Sequence, residues 1–559
     1  MTATNAGRQD VVDSSRDTRV AGQDSGPWWR PRLSVEALFL LASAWFVLAM
    51  NGPLWAAVQA ANGALRVQLA LGVAVFALQA LLLGLLCWWR LARPLLALLL
   101  VVTALAHWYM TRYAVVFDAE MIRNVLHTDV AESRELLSVR MVLHVLLLGV
   151  LPATLVMLTR PVVRGWRRGL LLRAGFLLTM ALLTAGALAS ASQGILPMMR
   201  SDPVLRYKIT PGNFIVSLVN VLKPSRKGGS GPIQQVGLDA ARPPAAQARK
   251  PRLLVLVVGE TVRGDHWGLN GYARQTTPAL AARGVVNFRD VVACGTSTEV
   301  SLPCMLSPFG RARYDRDAIR SHESVLDVAA RAGVGVLWRD NQSGCKGTCA
   351  RVPNHTMGPD DAPGLCADGR CLDEILLAGL QAKIDAMPGD ALIVLHMLGN
   401  HGPNYFERYP AAYKRWQPVC ATAELSRCPA RDIVNAYDNA ILYSDAVLGR
   451  AIDLLRNQAG HDAALLYVSD HGESLGEYGL FLHGAPYAIA PRQQLHVPMA
   501  LWLSAGMVQD AGIDMACLQA QARRPASHDN LFSTVLGLFD VQSGVYQRGQ
   551  DLLAGCRHR

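Results

Sequence analysis

Pro251-Arg-Leu-Leu-Val-Leu-Val-Val-Gly-Glu-Thr-Val-Arg-Gly-Asp-His-Trp-Gly-Leu-Asn-Gly-Tyr272 decides how the second half of the chain folds. Leu253 to Val258 form an unbroken aliphatic run, the pattern of a strand buried on both faces, and it stops at Gly259-Glu260-Thr261, where a polar loop begins. Open α/β sheets bind ligands beyond the carboxyl ends of their strands, so Glu260 is a candidate metal ligand or base. The plainer alternative is a helix cap.

Downstream, apolar strands at 253–258, 334–338, 391–396, 464–468 and 497–503 alternate with helical patterns such as 371–387 and 434–455. This alternation predicts one large α/β domain, 251–559, with a mainly parallel sheet sandwiched by helices. The strand Ala463-Ala-Leu-Leu-Tyr-Val-Ser-Asp470-His471-Gly-Glu473 ends as the first one does. Adjacent Asp470 and His471 offer two ligands to one metal, and Glu260 a third from a neighbouring strand. Cys294-Gly-Thr-Ser-Thr-Glu-Val-Ser-Leu-Pro-Cys304 supplies four hydroxyls, Thr296, Ser297, Thr298 and Ser301, at an expected helix start. Free N–H groups there favour an anion, and a metal-activated hydroxyl is a nucleophile; an ordinary N-cap is the bland alternative. Lys346, His396, His401 and His483 add cationic and imidazole groups after further strands.

The first half is different. The chain has 559 residues, enough for two to four domains at about 150 residues each. It is 51% hydrophobic with mean hydropathy +0.20, and the apolar excess lies before residue 200. A net charge of +11 favours an anionic membrane surface over nucleic acid. Residues 1–32 read as a disordered cytoplasmic tail without a cleavable signal. Apolar stretches at 34–56, 66–89, 95–116, 140–159 and 169–192 each approach the roughly 20 residues that cross a bilayer, which predicts a five-helix membrane domain over 33–192. Arg30 and Arg32 precede span 1, Arg90 and Arg93 separate spans 2 and 3, and Arg160, Arg164, Arg167 and Arg168 separate spans 4 and 5. These belong on the cytoplasmic side, so everything after span 5 falls outside the cytoplasm. The outer segment 117–139 carries Asn124, Thr128 and Glu132 at helical spacing, a face for a lipid headgroup or simply a solvated one. Residues 193–250 read as a bridging helix and linker.

Of eleven cysteines, Cys87 sits in an apolar span and ten follow residue 290. Cys294 with Cys304, Cys345 with Cys349, Cys366 with Cys371, and Cys420 with Cys428 form close-set pairs, and no CxxC occurs. Short-range disulfides in an oxidising compartment are the better reading than a zinc cluster, with Cys517 and Cys556 candidates for a fifth pair. It agrees with the orientation drawn from the arginines.

Gly-Glu-Thr-x-Arg-x-Asp from Gly259, Cys-Gly-Thr-Ser-Thr-x-x-Ser-x-Pro-Cys-Met from Cys294, Asp-Asn-x-x-x-Cys-Lys-Gly from Asp340, His401-Gly-Pro and Ser-Asp-His-Gly-Glu from Ser469 together resemble the phosphoethanolamine transferases of the alkaline phosphatase and sulfatase superfamily. That family includes lipid A modifying and mobile colistin-resistance enzymes. The resemblance implies zinc ligands at Glu260, Thr298, Asp470 and His471, with Thr298 also the nucleophile. It implies substrate contacts at Lys346, His401 and His483, and donor-lipid contacts at Asn124, Thr128 and Glu132. One tightly bound Zn2+, with room for a second, would serve transfer of phosphoethanolamine from phosphatidylethanolamine to a phosphate of lipid A or lipopolysaccharide core, and thereby polymyxin resistance. A monomer in the bacterial inner membrane with a periplasmic catalytic domain is expected, with no nucleic-acid partner. Two positions depart from the pattern: Gln342 where some members carry Asn, and Glu299 after the nucleophile where a small residue is common. The competing readings are a relative serving another acceptor or headgroup, such as glucan or phosphoglycerol, and a non-catalytic lipid sensor. Sulfatase chemistry lacks its Cys-x-Pro-x-Arg signature here.

Overall fold

The computed structural model describes residues 30–558 apart from 62–63, 88–90, 129, 163, 202–204, 224–231, 245–248 and 368. The expected tail up to residue 29, and Arg90, lie outside the described residues.

In the membrane half, α1 (Val35–Ala49) and α2 (Gly52–Ala60) are followed by α3 (Leu65–Leu86), α4 (Ala92–Arg112), α5 (Ala119–His127), α6 (Val130–Glu135), α7 (Val139–Leu158) and α8 (Trp166–Ser190). Among the described residues α3, α4, α7 and α8 are each long and apolar enough to cross a membrane, and a fifth span exists if α1 and α2 are taken as one. These two helices meet at 52°, so the expected unbroken first span is bent. Pro53, which has no N–H to continue the ladder, starts the second helix, and Asn51, fully buried, holds the break. Its amide nitrogen donates to the carbonyls of Phe46 and Thr210 at 2.9 and 2.8 Å, and its oxygen accepts from the Thr210 N–H at 3.0 Å. A side chain that takes over backbone partners interrupts a helix ladder, and here it ties the break to the chain beyond α8. Leu171 and Leu182 of α8 are 74% and 64% exposed, as lipid-facing residues of a spanning helix would be.

The outer segment also departs from expectation. Rather than one helix carrying Asn124, Thr128 and Glu132 on a single face, α5 stops at His127 and Thr128 turns extended. The Thr128 hydroxyl donates to the Asn124 carbonyl at 2.8 Å, satisfying a carbonyl that the helix end leaves free. The Glu132 side chain lies outside the described residues. After α8 the chain returns through α9 (Gly212–Leu222), which packs on α5; Ser217 donates to the Phe117 carbonyl at 2.9 Å.

The soluble half is built on an eight-stranded sheet: β1 (Arg252–Gly259), β2 (Val286–Val292), β3 (Gly335–Asp340), β4 (Asn354–Thr356), β5 (Ala391–His396), β6 (Asp462–Ser469), β7 (His496–Leu503) and β8 (Ala526–Ser527). Their order is β8-β2-β7-β6-β1-β5-β3-β4, and β7 alone runs against the others. β1 lies near the centre. Leu254, Leu256 and Val258 pack into one core and Leu253, Val255 and Val257 into the opposite one, which is why the strand reads as unbroken aliphatic sequence. The long helix α11 (Ala430–Arg456) covers the second face with Ile433, Tyr437, Ile441 and Leu448. The helical pattern at 371–387 proves to be two pieces, a 3-10 turn over Asp373–Leu377 and a helix over Leu380–Asp385, separated at Gly379, whose φ of +63° is left-handed. Five disulfides close, the four close-set pairs and Cys517–Cys556, leaving Cys87 as the free thiol.

Candidate active site

Parallel pairing of β1 with β6 sets Gly259 opposite Ser469, so Glu260 and Asp470 leave the sheet side by side. The third component arrives on α10 (Thr298–Met305), whose first residue is Thr298, preceded by extended Ser297. Thr298 Oγ1 lies 3.0 and 3.2 Å from the two Glu260 carboxylate oxygens and 3.4 Å from His471 Nε2. His471 Nε2 is in turn 3.2 Å from Glu260 Oε1 and 3.3 Å from Asp470 Oδ2. Glu260, Asp470 and His471 are fully buried, and Thr298 is nearly so.

Hydrogen bonds outside this cluster aim its donor atoms inward. The Gly472 carbonyl can only accept, so His471 Nδ1 carries the proton that bridges them at 2.9 Å and Nε2 is the nitrogen turned toward the two carboxylates. Asp470 Oδ1 accepts from the Thr261 and His471 N–H groups at 3.1 and 2.7 Å, while Oδ2 has no hydrogen-bond partner among the described residues. Burial, reinforced by the Glu260 carboxylate, pushes Asp470 up to about 6. Burial opposes a charged His471, but Asp470 and then Glu260 outweigh it and push the imidazole up to about 10. Two buried carboxylates, a hydroxyl and a ring nitrogen that holds a proton between the carboxylates where a cation would take its place, with a carboxylate oxygen orphaned, fit a divalent cation.

Of the four hydroxyls in the Cys294–Cys304 loop, Thr298 is the one that meets the carboxylate. Thr296 Oγ1 donates to the Ala485 carbonyl at 2.7 Å, and Ser301 Oγ donates to the Asp470 carbonyl. The His483 ring centroid lies 4.3 Å from that of His471, the rings tilted by 46°, and 5.9 Å from that of His401, edge to face. Lys346, left-handed at φ +51° inside the Cys345–Cys349 loop, turns its ammonium back to Ser343 just before that loop, donating to Ser343 O at 3.2 Å and Ser343 Oγ at 2.7 Å. Asn124 and Thr128 remain on the outer segment. Between them, His127 Nδ1 lies 3.2 Å from Glu299 Oε2, so that segment reaches the residue next to Thr298.

Both departures from the family pattern acquire a physical setting. Gln342 Nε2 donates to Glu260 Oε2 at 3.2 Å. Glu299, nearly buried, accepts from Arg320, with Arg316 at 3.7 Å, so its charge is balanced within the protein. Two supporting carboxylates escaped sequence reading. Glu473 takes the Tyr405 hydroxyl on one oxygen and His483 Nδ1, at 2.8 Å, on the other. Its place three residues after Asp470 in the Asp-His-Gly-Glu run was the available signal. Asp373 accepts from the N–H groups of Leu398 and Gly399 at 2.7 and 2.8 Å and so holds the turn before His401, with nothing in the sequence to mark it.

Strand ends that bring a hydroxyl, two carboxylates and an imidazole together in a helix-sandwiched sheet define an enzyme of the sulfatase class with a candidate metal site, and residues 252–541 match the sulfatase family. Residues 75–225 match the family described as phosphoethanolamine transferase EptA/EptB. Phosphoethanolamine transferase EptA of Salmonella typhimurium is 41% identical over 472 residues, covering 84% of this chain and 86% of its own, and phosphatidylethanolamine transferase Mcr-1 of Escherichia coli is 37% identical over 485 residues, covering 85% and 88%. The solved integral membrane lipooligosaccharide phosphoethanolamine transferase A of Neisseria meningitidis superposes with a TM-score of 0.91 at 38% identity, covering 95% of this chain and 100% of that one. The chain belongs to the phosphoethanolamine transferase family. It is an inner-membrane enzyme with its soluble domain in the periplasm, the side to which the arginine pattern and the disulfides also assign that domain.

Proposed function

We propose that this enzyme moves phosphoethanolamine from phosphatidylethanolamine to a phosphate of lipid A or lipopolysaccharide core, acting as a monomer, with 33–192 as its membrane domain, 193–250 as the bridge and 251–559 as the catalytic domain. The observation that carries the reading is the position of Thr298 Oγ1 against Glu260 and His471. Thr298, Glu260, Asp470 and His471 are the residues that would hold zinc, whose hard oxygen and imidazole ligands they supply. When bound, zinc lowers the pKa of a hydroxyl and neutralises charge on phosphoryl oxygens.

Thr298 Oγ1 attacks the donor phosphorus; a Thr–O–P bond forms, the bond from phosphorus to the glycerol oxygen breaks, and diacylglycerol leaves with a proton. The acceptor phosphate oxygen then attacks the same phosphorus: a P–O–P bond forms, the Thr–O–P bond breaks, and Thr298 regains its hydroxyl with a proton from the acceptor's P–OH or from water. Lys346, His401 and His483 contact the phosphoryl group, His483 being oriented by Glu473. Asn124, Thr128 and Glu132 contact the donor lipid. Placing an ammonium group on a lipid A phosphate reduces the net negative charge that draws cationic peptides, which is how the reaction would confer polymyxin resistance.

Mass spectrometry of lipid A from cells with and without the enzyme tests the reading. A mass increase of one phosphoethanolamine group, lost with Thr298→Ala, is expected. Unchanged lipid A and core with modified glucan would instead assign another acceptor.

A further inference from the structure

Arg408 belongs to the soluble domain, yet the anion that meets it comes from the membrane half. Its side chain is 1% exposed, and its Nε donates to the carbonyl of His401 at 2.7 Å. Its Nη2 bonds to Glu135 Oε2 on α6, and the other Glu135 oxygen accepts from Arg370 Nε at 3.1 Å. The Glu135 carboxylate is itself 9% exposed. A guanidinium as deeply buried as Arg408 is strongly unfavourable without an adjacent anion. The His401 turn is therefore gripped at two points, by Asp373 at Leu398 and Gly399 from within the domain, and by Arg408 at the His401 carbonyl. Asp373 also acts on Arg408 at longer range, but the carboxylate in direct contact with that guanidinium is the one across the seam.

The same outer segment reaches the opposite wall of the site, where His127 of α5 lies 3.2 Å from Glu299, the neighbour of Thr298. Glu132, the expected donor contact, lies three residues before Glu135 on α6. Membrane anchoring alone would not require a membrane-half carboxylate in contact with the arginine that holds a catalytic-domain turn.

We infer that Glu135 is a positioning residue for transfer: through Arg408 it fixes the His401 turn, so the active site is complete only when the soluble domain is seated on the outer segment of the membrane half. This rests on the reading of His401 as a phosphoryl contact. The ion pair joins α6, which carries a donor-lipid contact, to the turn that contacts the phosphoryl group, so seating and chemistry depend on one carboxylate.

The test uses the full chain in detergent micelles containing phosphatidylethanolamine, with a water-soluble nitrophenyl phosphodiester as a second substrate that needs no lipid site. Glu135→Gln is expected to lower kcat on both substrates by up to about 10²-fold, the effect of a small misplacement of a contact group, with KM for the soluble diester and bound metal unchanged. Glu135→Asp, which keeps the charge on a shorter stem, should recover part of the loss on both. Loss of lipid transfer with wild-type turnover of the soluble diester would overturn the inference and reduce Glu135 to a docking or donor contact. Wild-type kinetics on both substrates would also overturn it. Where the Gln variant does not accumulate, the Asp variant decides: parallel partial loss on both substrates supports the inference, and wild-type rates or loss on lipid alone overturn it. A wild-type enzyme that turns over neither diester would overturn the transferase reading itself, and this inference with it.

Discussion

Thr298 Oγ1 lies 3.0 Å from Glu260 Oε2, although 38 residues separate the two in sequence. Glu260 directly follows the central strand and Thr298 begins α10. A hydroxyl held against a buried carboxylate and an imidazole is poised to lose its proton, and it stands at a helix start, where a phosphoryl anion is favoured.

Thr298→Ala should abolish transfer while membrane insertion and the fold persist, because the change removes the attacking hydroxyl and, besides it, a single methyl group. Thr296→Ala and Ser301→Ala should leave a trapped phosphoethanolamine on Thr298, since their hydroxyls donate to the Ala485 and Asp470 carbonyls. Each should lower stability by about 1 kcal/mol, the usual worth of one hydrogen bond. Peptide mass spectrometry after donor addition distinguishes them; adduct on Thr296 or Ser301 would move the nucleophile.

Asp470→Asn and His471→Ala should each lower metal content and activity together, because among the described residues nothing outside the cluster engages Asp470 Oδ2 or His471 Nε2. Chelation of the wild type should lower its melting temperature, as removal of any ligand bound only to the native state does. Lys346→Ala should keep the metal and lose roughly 10² in rate, the cost of removing one charge-stabilising group. Stoichiometric metal in the Asp470 and His471 variants would refute the ligand set.

How far the sequence could be read depended on whether a feature was local. β1 and β6 were legible because a strand buried on both faces must be aliphatic throughout, and their ends were legible because Glu260, Asp470 and His471 are costly to bury without purpose. β2, which alternates, and the two- and three-residue strands β8 and β4 carry too little pattern to stand out. The bend at Asn51 and the break at Thr128 were hidden for another reason. Each is fixed by a side chain bonding to a backbone group, and in the first case the partner, Thr210, is 159 residues away. Asp373 and Glu135 likewise act through tertiary contacts that no spacing rule anticipates.

Glu299 illustrates a departure from family pattern that the protein neutralises. Its carboxylate accepts from Arg320, which also donates to the Glu299 and Lys346 carbonyls, so one guanidinium braces the nucleophile loop and the lysine loop together. Glu299→Ala should leave Arg320 without its counter-ion and lower both thermal stability and rate. The loss should fall below the roughly 3–5 kcal/mol of a fully buried pair, because Arg320 is 26% exposed. A variant with unchanged melting temperature and rate would show the pair to be idle.

The disulfides divide by loop length into two kinds. Cys517–Cys556 closes a separation of 39 residues and Cys345–Cys349 one of 4, for which chain entropy gives about 4 and about 2 kcal/mol respectively. The long loop therefore acts chiefly on stability. Two of the four short ones lie where chemistry is expected: Cys345–Cys349 encloses Lys346, and Cys294–Cys304 encloses Thr298. Preorganised contact groups lose rate when their loops loosen, whatever happens to the melting temperature. Replacing Cys517 and Cys556 by Ser should lower the melting temperature with activity at 25 °C largely kept. Replacing Cys294 and Cys304 should depress activity more than stability. Thiol labelling of the denatured, unreduced enzyme should find Cys87 alone, and labelling at any of the ten other cysteines in active protein would refute that pairing.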